Sequence, residues 1–441
     1  MAQQGSGFQW QPTNAPTASS RTDDIWFIDP QVGWAVNSNG QILHTIDGFD
    51  SFTAQLHDPA IYFRCVGFAS AQRGWAGTLN QSKPLFSTED GGRQWSTVTG
   101  LPALAPSAVC GLSVVNESVV FASGTNFPTK PPRMMKTVDG GQTWTAWDMR
   151  PWADILIDTY FTSPDHGWVV GGKADQGVPT RDNVKPVVLF TADGGRTWVN
   201  RAAPLHGQFP PGEWGWKIFF RNDRVGFISL ESFKQGATLA TLDGGLTWVR
   251  RVVNDPQGNA NLEGIGFVDD RHGWVGGWGD ANFQRLSSSE TFDGGLNWRD
   301  ANQIGKAINR FRFFGDPVTI GYSSGQTVYK YSSVPVPALE EALAAAPRRG
   351  EILAGLDPVE TSGPATMDVS VAPGASRLTV RIWDRFGEQV RTLIDEARPA
   401  PGERTLRWDR TDDAGRPLRP GHFIWRVTVD DTSESRLVHL T

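Results

Sequence analysis

Thr88-Glu89-Asp90-Gly91-Gly92-Arg93-Gln94-Trp95 decides the fold, because the chain repeats it. Further copies carry their aspartates at 139, 193, 243 and 293. A worn first copy, Thr45-Ile46-Asp47-Gly48-Phe49-Asp50-Ser51-Phe52, lacks the second glycine and the tryptophan. Successive aspartates stand 43, 49, 54, 50 and 50 residues apart, the period of a four-stranded propeller blade. Strand-like runs flank each copy, as Val187-Val188-Leu189-Phe190 and Trp198-Val199 do around Asp193. The residue types suit a tight reversal. A carboxylate accepts backbone N–H bonds, glycines supply positive φ, and a tryptophan lies against the blade. Equivalent aspartates spread round a ring cannot all serve one active site, so we read them as structural.

A second repeat precedes each box: Phe27…Gly33-Trp34, Phe68…Gly74-Trp75, Phe161…Gly167-Trp168, Phe220…Gly226-Phe227 and Phe267…Gly273-Trp274, with Val114…Val120-Phe121 lacking the glycine. Each reads as an inner strand, a short turn and the next strand, with aromatics wedged between blades. The run from Phe311 to Tyr331 supplies three strands and no box, while Phe8-Gln9-Trp10 resembles the segment that follows each box. An N-terminal strand completing the last blade would remove an open sheet edge. The expectation is an all-β chain: a seven-bladed propeller over residues 1–334, closed by strands from both ends.

After Ser333 the pattern changes. Pro335-Val336-Pro337 stops the propeller, 338–346 reads as a short helix in a linker reaching residue 365, and alternation resumes over 366–441, where Leu378, Val380 and Ile382 share one face. The number and spacing of those runs predict a small antiparallel Ig-like sandwich.

Net charge is −6 over 441 residues, which does not suggest nucleic acid. No apolar run reaches the roughly 18 residues of a membrane span. No metal-ligand cluster, nucleophile elbow or phosphate loop is present, so no metal and no cofactor is expected. Met1-Ala2-Gln3-Gln4 shows no signal peptide, and we expect the mature form of a periplasmic or extracellular protein. Cys65 and Cys110 fall on inner strands of adjacent blades, either bridged or as separate buried thiols.

The motifs Gly33-Trp34-Ala35-Val36 and Gly40-Gln41-Ile42-Leu43-His44-Thr45-Ile46-Asp47 give residues 1–334 a resemblance to the Asp-box (bacterial neuraminidase repeat) propellers, and within them to the photosystem II assembly and stability factors. The C-terminal part, through Val380-Arg381-Ile382-Trp383-Asp384, Trp408-Asp409, Asp413-Ala414-Gly415 and Gly421-His422-Phe423-Ile424-Trp425, resembles the Ig-like domain of the flagellar hook-cap protein. The first resemblance implies a protein-binding role, with a reaction-centre complex as the partner in a phototroph. The second implies an accessory, sorting or docking module.

In a propeller the boxes occupy one face, and B–C and D–A loops crowd the other, where partners usually bind. The chain places irregular sequence there: 124–133, 172–186, 278–289 and 200–216. Strand starts add Arg64, Asp158, Lys217, Glu263, Arg310 and Arg312 around the channel. The candidate partner-binding residues are Arg64, Arg133, Arg181, Trp214, Trp216, Lys217, Arg285, Arg310 and Arg312, cationic and aromatic groups able to grip a carboxylate, a phosphate or an acidic loop. The function expected is a non-catalytic protein-binding scaffold for a subunit of an envelope or membrane complex. The alternative is a secreted glycan-active or glycan-binding propeller. Its candidate carboxylates are Asp158, Glu213, Glu263 and Asp280, and its stacking platforms Trp147, Trp152, Trp214 and Trp216.

Overall fold

A computed structural model describes residues 7–125, 127–279, 288–301, 304–305, 307–339, 353–354, 359–384, 389–430 and 432–441. The bulk of the chain divides after Val336. The N-terminal unit is a seven-bladed propeller. Its blades are four-stranded antiparallel sheets whose strands A to D run outward from the channel in chain order, six built from consecutive strands. Inner strands are Thr22–Phe27, Phe63–Phe68, Gly111–Val114, Ile155–Phe161, Glu213–Phe220, Ala260–Phe267 and Phe311–Phe314.

The seventh blade takes its outer strand from the other end of the chain. Gln9–Pro12 pairs antiparallel with Val328–Ser332, with Trp10 opposite Tyr331. The chain then stays on this blade, Thr13 N–H and Ala18 N–H donating to Val328 and Gln326 carbonyls at 2.9 and 2.8 Å. Closure therefore pairs residues from opposite chain ends.

Side chains explain both repeats. In the box of blade 4, Thr191 Oγ donates to Asp193 Oδ1 (2.8 Å) and accepts from Gly195 N–H (2.9 Å), while Asp193 accepts from the N–H groups of Arg196 (3.0 Å) and Thr197 (2.9 Å). Gly194 and Gly195 stand at φ 73° and 94°, where a Cβ is strained. Such bonds hold the carboxyls of Asp90, Asp139, Asp193, Asp243 and Asp293 below the usual range; the hydroxyl of Thr143 is the largest cause at Asp139, which falls to about 2. In the worn first box, Phe49 replaces the second glycine yet keeps φ at 64°, and its buried ring meets Phe27 edge-on at 5.9 Å.

In the Phe-x5-Gly repeat, a Cβ on Gly33, Gly74, Gly167, Gly226 or Gly273 would fall 2.3–2.7 Å from the ring of its own blade's phenylalanine. The glycine lets that ring lie flat on the backbone. The next residue reaches the neighbouring blade: Trp34 stacks on Phe68 at 3.7 Å, Phe121 on Phe161 at 3.5 Å and Phe227 on Phe267 at 3.7 Å. The box tryptophans then meet the same phenylalanines edge-on, as Trp95 does Phe68 at 5.8 Å. In blades 2, 4, 5 and 6 one phenylalanine thus joins its own turn, its own box and the preceding blade.

The C-terminal unit is a sandwich. Its larger sheet runs Val359–Thr361, Thr432–Leu440, Gly421–Val429, Arg377–Asp384, Gln389–Ala397, and the smaller Leu353–Ala354, Ala365–Val371, Gly402–Trp408. Leu378, Val380 and Ile382 face its core as their alternation predicts, with Trp408 and Trp425 edge-on at 6.3 Å. Two short strands come from the segment read as linker, too brief to show alternation. The helix expected at 338–346 lies mostly outside the described residues.

Trp10 is buried and meets Trp274 and Phe311 edge-on at 5.4 and 5.6 Å. Trp10→Ala should lower unfolding free energy by about 3–5 kcal/mol, measured by urea titration, because it empties the contact that closes the ring.

Candidate functional site

Four inner strands share an irregularity that sequence does not announce. Register against the next strand slips between Phe63 and Cys65, Leu156 and Asp158, Gly215 and Ile218, and Leu262 and Glu263's successor Gly264. A β-bulge re-aims side chains that a regular strand would alternate. The residues passed over are Arg64, Ile157, Trp216 with Lys217, and Glu263. Three of the four bulges thus carry a charge at the channel.

The charges are paired across blades. Arg310 (blade 7) grips Asp158 (blade 4) with two bonds of 2.8 and 3.0 Å and donates its Nε to Asp24 (blade 1) at 2.8 Å. Asp23 accepts from Arg21 Nε at 2.8 Å and from Arg64 of blade 2, and Arg21 reaches on to Glu263 of blade 6. Asp158 and Asp24 also accept backbone N–H bonds from Ile218 and Val66, each 3.2 Å. Lys217 Nζ stands 3.9 Å from Asp158 and has no hydrogen-bond partner among the described residues.

Trp216 crosses the channel. It starts on blade 5 and donates its Nε1 to Asn309 Oδ1 of blade 7 at 3.1 Å. The guanidiniums of Arg21 and Arg64, from blades 1 and 2, lie 5.4 and 5.1 Å from its centroid. Arg21 also stands 5.3 Å from Trp278, so it is sandwiched between two indoles.

This burial shifts the ionisation of the groups involved. Desolvation, then the Arg310 cation, pushes Lys217 down to about 8. Desolvation likewise lowers Arg312 to about 10, again with Arg310 second. Burial would raise Asp158, but Arg310 and Lys217 outweigh it and hold the carboxyl low. Glu231, at the loop-rich end of blade 5, is pushed up to about 7 by burial despite Arg181, Arg21 and Arg64 nearby.

The structure brings Arg64, Trp216, Lys217 and Arg310 together in the channel, with the half-buried Arg312 over Trp26 at 5.1 Å. The sequence pattern puts Trp214 and Trp216 on a D–A loop. They belong instead to inner strand Glu213–Phe220 and are only 1 and 2 % exposed; the bulge passes over Trp216 together with Lys217, while Trp214 lies before it in regular register. Blade 4's long loop also shortens, its strands extending to Ala174 and from Val184. Arg181 remains on it, 5.9 Å from the Trp214 ring. Arg133 lies apart on blade 3, donating to the Ala103 and Ala105 carbonyls at 3.1 and 3.3 Å. Arg285 lies outside the described residues, as does Asp280. Sequence reasoning missed Arg21, Asp23, Asp24, Glu231 and Asn309 as members of the cluster. Cys65 and Cys110 are separate buried thiols. No group of three or more metal-ligating side chains occurs among the described residues, and no described helix is long and apolar enough to cross a membrane.

The fold and channel define a seven-bladed Asp-box propeller followed by an Ig-like sandwich. Residues 2–147 match the family model of the photosynthesis system II assembly factor YCF48, and residues 356–434 that of the FlgD Ig-like domain. Among solved structures, YCF48 from Cyanidioschyzon merolae is 19 % identical with a TM-score of 0.54, covering 74 % of this chain and 99 % of its own. A structure of YCF48 bound to D1 peptide is 18 % identical with a TM-score of 0.53, covering 74 % of this chain and 97 % of its own. At that identity the likeness establishes the propeller fold. No curated protein matches the chain.

Glu231 gives a pH test. Its folded pKa is raised, so the native state keeps a proton that the unfolded chain releases above the usual carboxylate range. The stability this contributes is present at low pH and is lost as pH rises through about 7. Glu231→Gln should therefore gain on the wild type by roughly 1.4 kcal/mol per pH unit between about pH 5 and 7, then level off, as read by denaturant titration at each pH.

Proposed function

We propose that this protein is a non-catalytic scaffold that binds a protein partner through the loop-rich end of its propeller and so assembles or stabilises a larger membrane or envelope complex. The observation that carries this is the state of the described carboxylates weighed for catalysis. Asp158 is clamped by Arg310, Glu263 by Arg21, and Glu213 by two bonds from Arg250 of 3.0 and 2.7 Å. Glycoside hydrolysis needs one carboxyl to donate a proton and another to attack or activate water. A neighbouring guanidinium favours the ionised carboxylate, which opposes proton donation, and occupies oxygens that attack would need.

The loop-rich end suits recognition instead. Arg181 lies over Trp214, and Lys185, Asp175 and His206 form a cluster with contacts of 3.0 Å. The match to the YCF48 family model supports a partner of the photosystem-assembly kind, and the solved structure of YCF48 bound to D1 peptide supports a peptide as the bound element. In a phototroph the partner is then a reaction-centre subunit; elsewhere, a subunit of another envelope complex. We place the protein in the periplasm or outside the cell, with the Ig-like unit as a docking module. A glycan platform is less well supported, since Trp214 and Trp216 are buried and Trp147 and Trp152 half-buried.

Cross-linking of the tagged protein in native membranes, read by mass spectrometry, should recover one stoichiometric partner. Its cross-links should fall on Lys130, Lys173, Lys185 and Lys234. Cross-links confined to the box-bearing face, or a free monomer, would refute the assignment.

A further inference from the structure

Arg64 and Lys217 are each 1 % exposed, yet Arg64 Nε and Nη2 and Lys217 Nζ have no hydrogen-bond partner among the described residues. Buried cationic donors left unmatched carry a desolvation cost that nothing returns. Asp23 serves Arg21 and Arg64 through Oδ1 alone, its Oδ2 being buried and without a hydrogen-bond partner among the described residues, and Asp158 is held by both terminal nitrogens of Arg310. In the channel, the cations Arg21, Arg64, Lys217, Arg310 and Arg312 face the carboxylates Asp23, Asp24, Asp158 and Glu263, leaving one positive charge uncompensated among the described residues. Arg181 and Glu231, at the loop-rich end, add one of each sign.

Trp216 covers Arg64 and packs in a buried cluster with Ile155, Ile157, Val184 and Trp214. Arg64 lies against its face, and one hydrogen bond, to Asn309 Oδ1, tethers its edge. The side-chain nitrogen of Asn309 is itself buried and unpartnered. Swinging the indole aside would break that bond and uncover the Arg64 guanidinium.

We propose that the channel holds a latent oxyanion site, formed by Arg64 and Lys217 beneath the Trp216 indole, that takes a carboxylate, sulfate or phosphate group when that ring swings out. The site does not rest on the scaffold reading. A free inorganic ion and an acidic side chain of a partner present the same chemistry, and the test separates them.

Calorimetric titrations of the full chain with sulfate, phosphate and acetate, at ionic strength fixed with chloride, should show saturable binding of an oxyanion. Trp216→Ala should bind at least ten-fold more tightly by removing the cover. Lys217→Met should bind at least ten-fold more weakly, and Lys217→Arg should retain binding. A blocked tetrapeptide containing glutamate forms the second arm. Binding of ions alone identifies a small-anion site, whereas tighter binding of the peptide identifies a partner's carboxylate. Absence of saturable binding by every ion and by the peptide, in both wild type and Trp216→Ala, overturns the proposal. So does equal affinity in a folded Lys217→Met.

Discussion

Arg310 holding Asp158 across the channel is the constraint on which the centre of this propeller depends. Blade packing alone joins each sheet to its two neighbours through stacked aromatics such as Phe121 on Phe161. The Arg310–Asp158 pair joins blade 7 to blade 4, and the same guanidinium reaches Asp24 on blade 1. Buried ions lose hydration that mutual attraction must return, and removing one partner strands the other. The ring is therefore sensitive to any change that leaves one of these charges alone.

The bulges make this arrangement available. A regular inner strand would send Trp216 and Lys217 to opposite faces. The slip between Gly215 and Ile218 admits both to the channel, one as a cover and one as a charge. The same device exposes Arg64 and Glu263 to partners on other blades. Geometry that elsewhere would weaken a strand here supplies the polar centre, and the loop-rich rim above it is left to recognition.

How much of this was legible in the sequence follows from the range of each interaction. The Asp-box could be read because its bonds are local, Asp193 reaching no further than Thr197. The Phe-x5-Gly repeat could be seen, though its reason, a ring lying on a glycine, needed coordinates. Strand-A starts point to Arg64, Asp158, Lys217, Glu263, Arg310 and Arg312 as channel residues, since inner strands of a propeller line it. Their pairing could not be read: Arg310 and Asp158 are 152 residues apart, and Trp216 and Asn309 are 93 apart. Nothing in the residues around Trp216 marks a bulge, and the stretch reads as loop. Asp23 and Asp24 sit beside a worn repeat and gave no sign of a charged ring.

The account is tested most directly by a double-mutant cycle on Arg310→Met and Asp158→Leu, measured by denaturant unfolding. If the pair bridges the ring, each single change should cost about 3–5 kcal/mol by stranding a buried charge. The double variant should then cost at least ~2 kcal/mol less than the sum. Single costs that add to within about 0.5 kcal/mol would mean the two groups act independently, and the cross-channel account would be wrong.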